Sequence, residues 1–179
     1  MSGLLALSRG IDALNLWLGR LAAVLVLAAA LISATNAFFR YAFDMSSNAY
    51  LEIQWYLFAA IVLLGASETL RKNEHVRVDL VYMAVSERKR LWIDISGIIL
   101  FLFPFTLLMA WLSWPVAMNM LRSGEVSFSA GGLVRWPVWM LLPLGFVLLA
   151  LQGLSELIKR IAALQGLVEV DTAYHKPDQ

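Results

Sequence analysis

The residues of this chain that could do chemistry are few, and most stand near the ends of long apolar segments. The chain has two histidines and no cysteine, which excludes thiolate catalysis, disulfides and cysteine-ligated metal centres. A haem held between helices needs paired axial ligands, usually histidines, whereas His75 and His175 both lie outside the apolar segments. The sequence contains no phosphate-binding glycine loop and no serine-hydrolase or zinc-hydrolase motif. We therefore predict no catalytic residue, no bound cofactor and no metal.

Two carboxylates fall inside the second apolar segment, one near each end. Glu68 precedes two basic residues by three and four positions, the first of them Arg71, and this is the spacing of an ordinary charged set on a helix surface. We expect Glu52 to pair with Arg40 across the short turn between the first two segments, because an unpaired carboxylate below the headgroups is costly. In the alternative, Arg40 extends to the headgroups and Glu52 reaches water.

These side chains are positioned by four apolar segments. Of 179 residues, 60% are apolar and 15% charged, against about 45–50% and 25% in soluble domains. A membrane crossing takes about 20 apolar residues, and the chain offers four such stretches, at 21–39, 49–70, 95–121 and 136–155. The predicted fold class is an all-α integral membrane protein with four transmembrane helices, in a single membrane domain over residues 1–179.

The distribution of Lys and Arg predicts the orientation of these spans. The segment before the first span, the loop 71–94 and the tail 156–179 together hold eleven Lys and Arg, whereas the two opposite loops hold three. Basic loops stay on the cytoplasmic side, so both termini, the loop and the tail are expected to be cytoplasmic. The net charge of +1 offers no basic field for nucleic acid.

The first twenty residues have a helical pattern of their own. Leucines and Ile11 recur at helical spacing, with Ser8, Asp12 and Asn15 between them. This pattern is typical of an amphipathic lead-in helix that lies on the membrane, or of a cytoplasmic extension of the first span. A cleaved signal peptide would be followed by the hydrophilic start of the mature protein, whereas here the apolar run continues through Phe38 and Phe39. We therefore expect a retained membrane anchor rather than a signal peptide.

Glycine and proline mark the expected helix contacts and irregularities. Gly145 and Gly153 stand two turns apart in the fourth span and allow another helix to approach closely. Pro104 and Pro143 lie deep in spans, where each removes a backbone hydrogen bond and bends its helix. Pro137 falls in a first helical turn, where it is harmless.

Several short strings stand in a fixed order on the four spans. They are Asn36 to Tyr41, Glu52 with Trp55, Gly65 and Ala66 before Arg71, His75 to Asp79, Arg135-Trp136-Pro137, and Leu142 to Phe146 followed by Gln152. Together they resemble the small membrane subunit of tripartite ATP-independent periplasmic (TRAP) transporters, over about residues 36–159.

The resemblance implies one part of a Na⁺-coupled secondary importer for organic acids in the bacterial inner membrane. A soluble extracytoplasmic solute-binding protein would capture the solute, and a large multi-span subunit would move it. The small subunit would be non-catalytic and would anchor the large one among membrane lipids. The expected structural or interface residues are Asn36, Arg40, Glu52, Trp55, Arg71, His75, Asp79, Arg135, Trp136 and Pro137.

The loop between the third and fourth spans is the expected contact for the binding protein. Arg122, Glu125 and Phe128 combine charge and an exposed aromatic ring, which suits a transient interface; the alternative is a plain re-entry loop with turn glycines. Two other functions stay open from the residues alone. The chain could anchor a redox complex, or be a self-contained small four-span transporter.

Overall fold

The computed structural model describes residues 1–45, 47–73, 85–129 and 131–168. It contains four long helices: α1 (Ser2–Phe43), α2 (Asn48–Arg71), α3 (Glu87–Ser123) and α4 (Trp136–Leu164). All four are long and apolar enough to cross a membrane. The prediction of an all-helical protein with four membrane-spanning helices is confirmed to this extent.

The helix ends follow from local sequence. Asp44 ends α1 in a left-handed conformation with φ of 52°, and the Ser47 side chain caps α2 by accepting a hydrogen bond from the Ala49 N–H. Gly124, with φ of 62°, ends α3, a conformation that glycine adopts without steric cost. Pro137 lies in the first turn of α4, as predicted.

Helix α1 is continuous from Ser2 to Phe43, with no break between the first twenty residues and the predicted first span. Its 42 residues extend about 63 Å at 1.5 Å per residue, about twice the hydrocarbon thickness of a bilayer. Part of α1 must therefore tilt strongly or lie beyond the hydrocarbon.

Helix α3 departs from α-helical geometry next to Pro104. Residues Ile98–Leu102 form a π-helical turn, and the Phe103 N–H donates to the Ile98 carbonyl. Proline has no N–H to donate to the carbonyl four residues earlier, so the expected loss of α-helical bonding at Pro104 is confirmed. The Thr106 hydroxyl donates to the Leu102 carbonyl at 2.8 Å and satisfies one acceptor of this irregular turn.

Helix α4 is central, since it packs against each of the other three. A Cβ atom added at Gly145 would lie 2.7 Å from the Leu63 Cβ on α2, and one added at Gly153 would lie 2.7 Å from the Leu102 Cδ2 on α3. The predicted close approaches at these two glycines are confirmed, and the partners are helices of the same chain.

The interior of the bundle is unusually polar. The largest fully buried side chains include Gln152, Asn15 and Thr106, whereas Trp55, Phe101 and Trp111 are each more than 70% exposed. Lipid solvates apolar side chains as well as a protein core does, so helices in membranes associate through close packing and polar contacts. This distribution is that of a membrane protein whose helices are joined by polar side chains.

Candidate functional site

Polar contacts concentrate at the two ends of the bundle. The basic end is where α1 begins, α2 ends, α3 begins and α4 ends. The loop end carries the α1–α2 turn and the loop between α3 and α4. Because neighbouring helices run in opposite directions, side chains distant in sequence meet at each end.

At the basic end, α1 and α4 are joined by hydrogen bonds between buried polar side chains. The Asn15 Nδ2 donates to the Gln152 Oε1 at 2.7 Å, and the Gln152 Nε2 donates to the Asp12 Oδ1 at 2.9 Å. The hydroxyls of Ser8 and Ser155 lie 2.7 Å apart. Within the described ranges, the Asn15 Oδ1 is the one buried side-chain nitrogen or oxygen without a hydrogen-bond partner.

Two cations of α4 join this network to charged groups. Lys159 lies 3.1 Å from Asp12 on α1 and 2.5 Å from Glu156. Arg160 bonds Asp94 on α3 at 2.9 Å and also pairs with Glu156. We call these residues the polar cluster: Ser8, Asp12, Asn15, Asp94, Gln152, Ser155, Glu156, Lys159 and Arg160.

The charged groups of the polar cluster are paired with one another. The Arg160 side chain is only 5% exposed, and it contacts two carboxylates, those of Asp94 and Glu156. Buried ion pairs persist only with good geometry and further hydrogen bonds, and removing one partner leaves a costly unpaired charge. The cluster therefore joins α1, α3 and α4 to one another.

Glu68 lies beside this cluster, where α2 crosses α1. Arg71 binds both of its carboxylate oxygens, at 2.6 and 2.7 Å, so the predicted pairing is confirmed. Its predicted surface position is wrong, because Glu68 is buried. A Cβ atom at Gly19 would lie 2.5 Å from the Glu68 Cγ, so the absence of a side chain at Gly19 creates the space that buries this carboxylate.

At the loop end, Glu52 binds the loop between α3 and α4. Its carboxylate accepts hydrogen bonds from the Ser127 hydroxyl and, at 2.8 Å, from the Leu133 N–H. The predicted pair of Glu52 with Arg40 is wrong. Arg40 is exposed at the end of α1 and has no ion-pair partner among the residues that the structure describes, and Glu52 instead bonds the loop between α3 and α4.

The loop itself is folded as a short hairpin. Val126 and Val134 form an antiparallel bridge, and the Ser127 N–H donates to the Leu133 carbonyl at 3.0 Å. The guanidinium of Arg135 lies 2.5 Å from Glu125, and the Tyr56 hydroxyl donates to the Val134 carbonyl at 3.2 Å. These contacts, with those of Glu52, form what we call the loop clasp.

The other predicted interface residues are dispersed. Trp55 and Trp136 are exposed to the surroundings, and Asn36 is half-buried. His75 and Asp79 lie outside the described residues. The structure brings Glu52 and Arg135 together in the loop clasp, whereas Arg71 lies at the opposite end of α2 with Glu68.

The three residues predicted to contact a binding protein differ in their environment. Phe128 is 95% exposed at the tip of the loop, and Arg122 is exposed at the end of α3. Glu125 is half-buried and paired with Arg135. Only the first two are therefore available to a partner without breaking an existing contact.

The sequence analysis missed the polar cluster as a site. A signal was present, because Gln152, Glu156 and Arg160 follow one another at four-residue steps and so share one face of α4. Ser8, Asp12 and Asn15 likewise share one face of α1. Within the described parts of the chain, no group of three or more His, Asp or Glu side chains could hold a metal ion.

Comparisons with known proteins agree with this architecture. Residues 29–163 match the family model described as the DctQ component of the tripartite ATP-independent periplasmic transporters. No curated protein and no solved structure matches the chain. The matched region includes the last third of α1 and all of α2, α3 and the loop clasp, and ends one residue before the end of α4. The chain therefore belongs to the DctQ family and is the small permease subunit of a TRAP transporter, a multi-pass membrane protein.

Proposed function

We propose that this chain is the non-catalytic subunit of a Na⁺-coupled importer for organic acids, in which it anchors and braces the large transport subunit. Membership of the DctQ family supports the place in a tripartite transporter. The coupling to Na⁺, the class of solute and the bracing role are the parts that we propose beyond family membership. A subunit that braces another needs internal rigidity and a fixed depth in the membrane.

The observation that carries this proposal is the pairing within the polar cluster. Asp12, Asp94 and Glu156 each contact Lys159 or Arg160, and these contacts link three different helices. Charged groups that are paired between helices hold those helices together. A solute or ion pathway would instead need charged groups that can release one partner and bind the solute or ion. The arrangement favours a static role over independent transport.

The loop clasp supports the same role at the other end. Glu52 on α2 holds the loop that leads into α4, so the two helices are tied near their loop ends as well. A bundle fastened at both ends resists sliding of one helix along another. This property suits the stationary part of a transporter in which another part moves the solute.

The charge distribution supports an anchored depth in the bacterial inner membrane. The basic end would face the cytoplasm, because Lys and Arg concentrate in the segments that leave it. Drawing these cations into hydrocarbon costs about 2.5–3.5 kcal/mol for each side chain. Cationic side chains also attract anionic lipid headgroups on the cytoplasmic side, which further opposes vertical displacement.

The loop end would then face the extracytoplasmic solute-binding protein. The loop clasp holds the hairpin against α2, and Phe128 extends from it with 95% of its surface exposed. Exposed aromatic and arginine side chains are favoured at protein interfaces. Phe128 and Arg122 are the two residues we assign to this contact.

Uptake by a reconstituted transporter tests the bracing role. Proteoliposomes would contain the large subunit with or without this chain, the binding protein, a radiolabelled organic acid and a Na⁺ gradient. We expect uptake only when this chain is present. Full uptake by a correctly folded large subunit without this chain would refute the bracing role, and solute uptake by this chain alone would refute the assignment as a non-transporting subunit.

A further inference from the structure

The loop end contains a cavity that the bracing role does not explain. It lies between α2 and α4 beneath the loop and has a volume of about 690 Å³. Its walls include Trp55, Tyr56 and Trp139, and such amphipathic aromatic side chains concentrate at the level of lipid headgroups. These side chains predict that the cavity lies at the level of the lipid headgroups.

The polar wall of this cavity carries opposite charges. Glu52 and Arg135 both line it, and they are not paired with each other, because Arg135 pairs with Glu125. The Glu52 carboxylate accepts hydrogen bonds from Ser127 and Leu133 and also interacts with the Ser129 side chain, so these three loop residues use part of the about four positions that a carboxylate offers. In the described ranges no cationic side chain forms a salt bridge with Glu52, and Arg135 acts on its charge only at longer range.

Arg135 retains hydrogen-bonding capacity as well. One of its nitrogens contacts Glu125, whereas a guanidinium has five N–H donors. Among the described residues, Glu52 and Arg135 are the charged side chains that line the cavity, and their formal charges sum to zero. A ligand that brings an ammonium group to Glu52 and an anionic oxygen to Arg135 would complement both groups.

The remaining wall is apolar and lies deeper along the helices. Phe58 and Ala59 follow Glu52 by about two turns of α2, and Val138 follows Arg135 by about one turn of α4. A polar rim above an apolar floor is the shape of a site for an amphiphile. Both charge signs at the rim distinguish it from a site for a purely anionic lipid.

We propose that this cavity binds a zwitterionic phospholipid. The lipid ammonium contacts the Glu52 carboxylate and the surrounding aromatic rings, which attract cations. The lipid phosphate accepts hydrogen bonds from Arg135, and an acyl chain lies along Phe58 and Val138. This inference depends on the chain spanning a bilayer and is independent of its role toward the large subunit.

Headgroup competition in native mass spectrometry tests the proposal. The full-length chain is purified in detergent with equal amounts of phosphatidylethanolamine, phosphatidylcholine and phosphatidylglycerol of identical acyl chains, and the retained lipid is counted. We expect each zwitterionic lipid to exceed phosphatidylglycerol by about tenfold, the ratio typical of one charge-assisted contact. Equal retention of all three lipids, or more phosphatidylglycerol, would overturn the proposal.

Two variants assign the effect to this cavity. Glu52→Gln should abolish the preference for the zwitterionic lipids, whereas Glu87→Gln, the same change at an exposed glutamate of the basic end, should preserve it. Arg135→Gln should reduce retention of all three lipids, because each has a phosphate. Retention of the preference in folded Glu52→Gln, or unchanged lipid binding in Arg135→Gln, would place the lipid elsewhere and contradict the proposal.

Discussion

Asn15 on α1 and Gln152 on α4 are hydrogen-bonded through their side-chain amides at 2.7 Å, and neither side chain is exposed. They are separated by 137 positions in the chain, so this hydrogen bond fixes the position of α1 along α4. Gln152 continues the chain of bonds to Asp12 and Glu156. The pair thus connects the apolar part of the bundle to its charged end.

Asn15→Leu is expected to lower the stability of the protein by about 1–2 kcal/mol, because Gln152 loses a buried partner. Asn119→Leu is the matched control, since Asn119 is exposed on α3. Thermal unfolding in detergent measures both. The double variant with Gln152→Leu should lose less than the sum of the single losses, and strict additivity would show that the two side chains do not interact.

Arg160→Gln is expected to be the most damaging single change at the basic end. It leaves the buried Glu156 and the partly buried Asp94 without this cation, and breaking a buried pair costs about 3–5 kcal/mol. Arg20→Gln is the control, because Arg20 is exposed on α1. The yield of folded protein from membranes measures the effect, and equal yields for the two variants would contradict the role given to Arg160.

Gly145→Ala is expected to destabilise the α2–α4 contact by about 1–3 kcal/mol, the usual cost of overpacking. The new Cβ would lie 2.7 Å from the Leu63 Cβ and 3.1 Å from the Leu63 backbone oxygen, and the backbone cannot rotate away. Gly97→Ala is the control, since nothing lies within 4 Å of a Cβ at that position on α3. A melting temperature of Gly145→Ala no lower than that of Gly97→Ala would exclude a tight crossing.

Glu52→Ala is expected to release the loop between α3 and α4. The Ser127 hydroxyl and the Leu133 N–H lose their acceptor, so hydrogen exchange at residues 125–134 should become faster. Arg40→Ala should leave exchange in the loop unchanged, because Arg40 takes no part in the loop clasp. A loop that exchanges at the same rate in Glu52→Ala and in the unaltered chain would mean that Glu52 does not hold it.

Phe128→Ala is expected to weaken binding of the solute-binding protein by about tenfold, as for an aromatic side chain at an interface. The fold should not change, because Phe128 is 95% exposed. Phe101→Ala, at an exposed ring within α3, is the control. Surface plasmon resonance on the reconstituted transporter gives the affinity, and equal affinities for both variants would assign the contact to another surface.

Features set by local spacing or by bilayer thickness were predictable from the sequence. The four spans follow from the length of apolar sequence that a bilayer requires, and the Glu68–Arg71 pair follows from one turn of helix. The partner of Glu52 was not predictable in this way. It depends on a loop 75 to 81 residues further along the chain, and nothing local to Glu52 favours that loop over the nearer Arg40.

The polar cluster escaped prediction for a different physical reason. In the first twenty residues the leucine pattern predicted an amphipathic helix, and in the structure Leu4, Leu7 and Leu14 are exposed while Ser8 and Asn15 are buried. In water the apolar face of a helix packs inward, but lipid removes that preference. Ile11, which belongs to the apolar repeat, is buried as Ser8 and Asn15 are, so helical periodicity did not indicate which residues of α1 face the bundle.

The bonds between Ser8 and Ser155 and between Asn15 and Gln152 also constrain the order of assembly. A ribosome adds about 5–20 residues each second, so α1 waits on the order of ten seconds before its partner positions on α4 are even synthesised. During that interval its serine, aspartate and asparagine must be solvated by headgroups, water or an insertion chaperone. The contacts of the α1 polar face thus form only after α4, the last helix, has been synthesised. If the ribosome stalls before Gln152, the polar side chains of α1 stay without these partners at the membrane boundary.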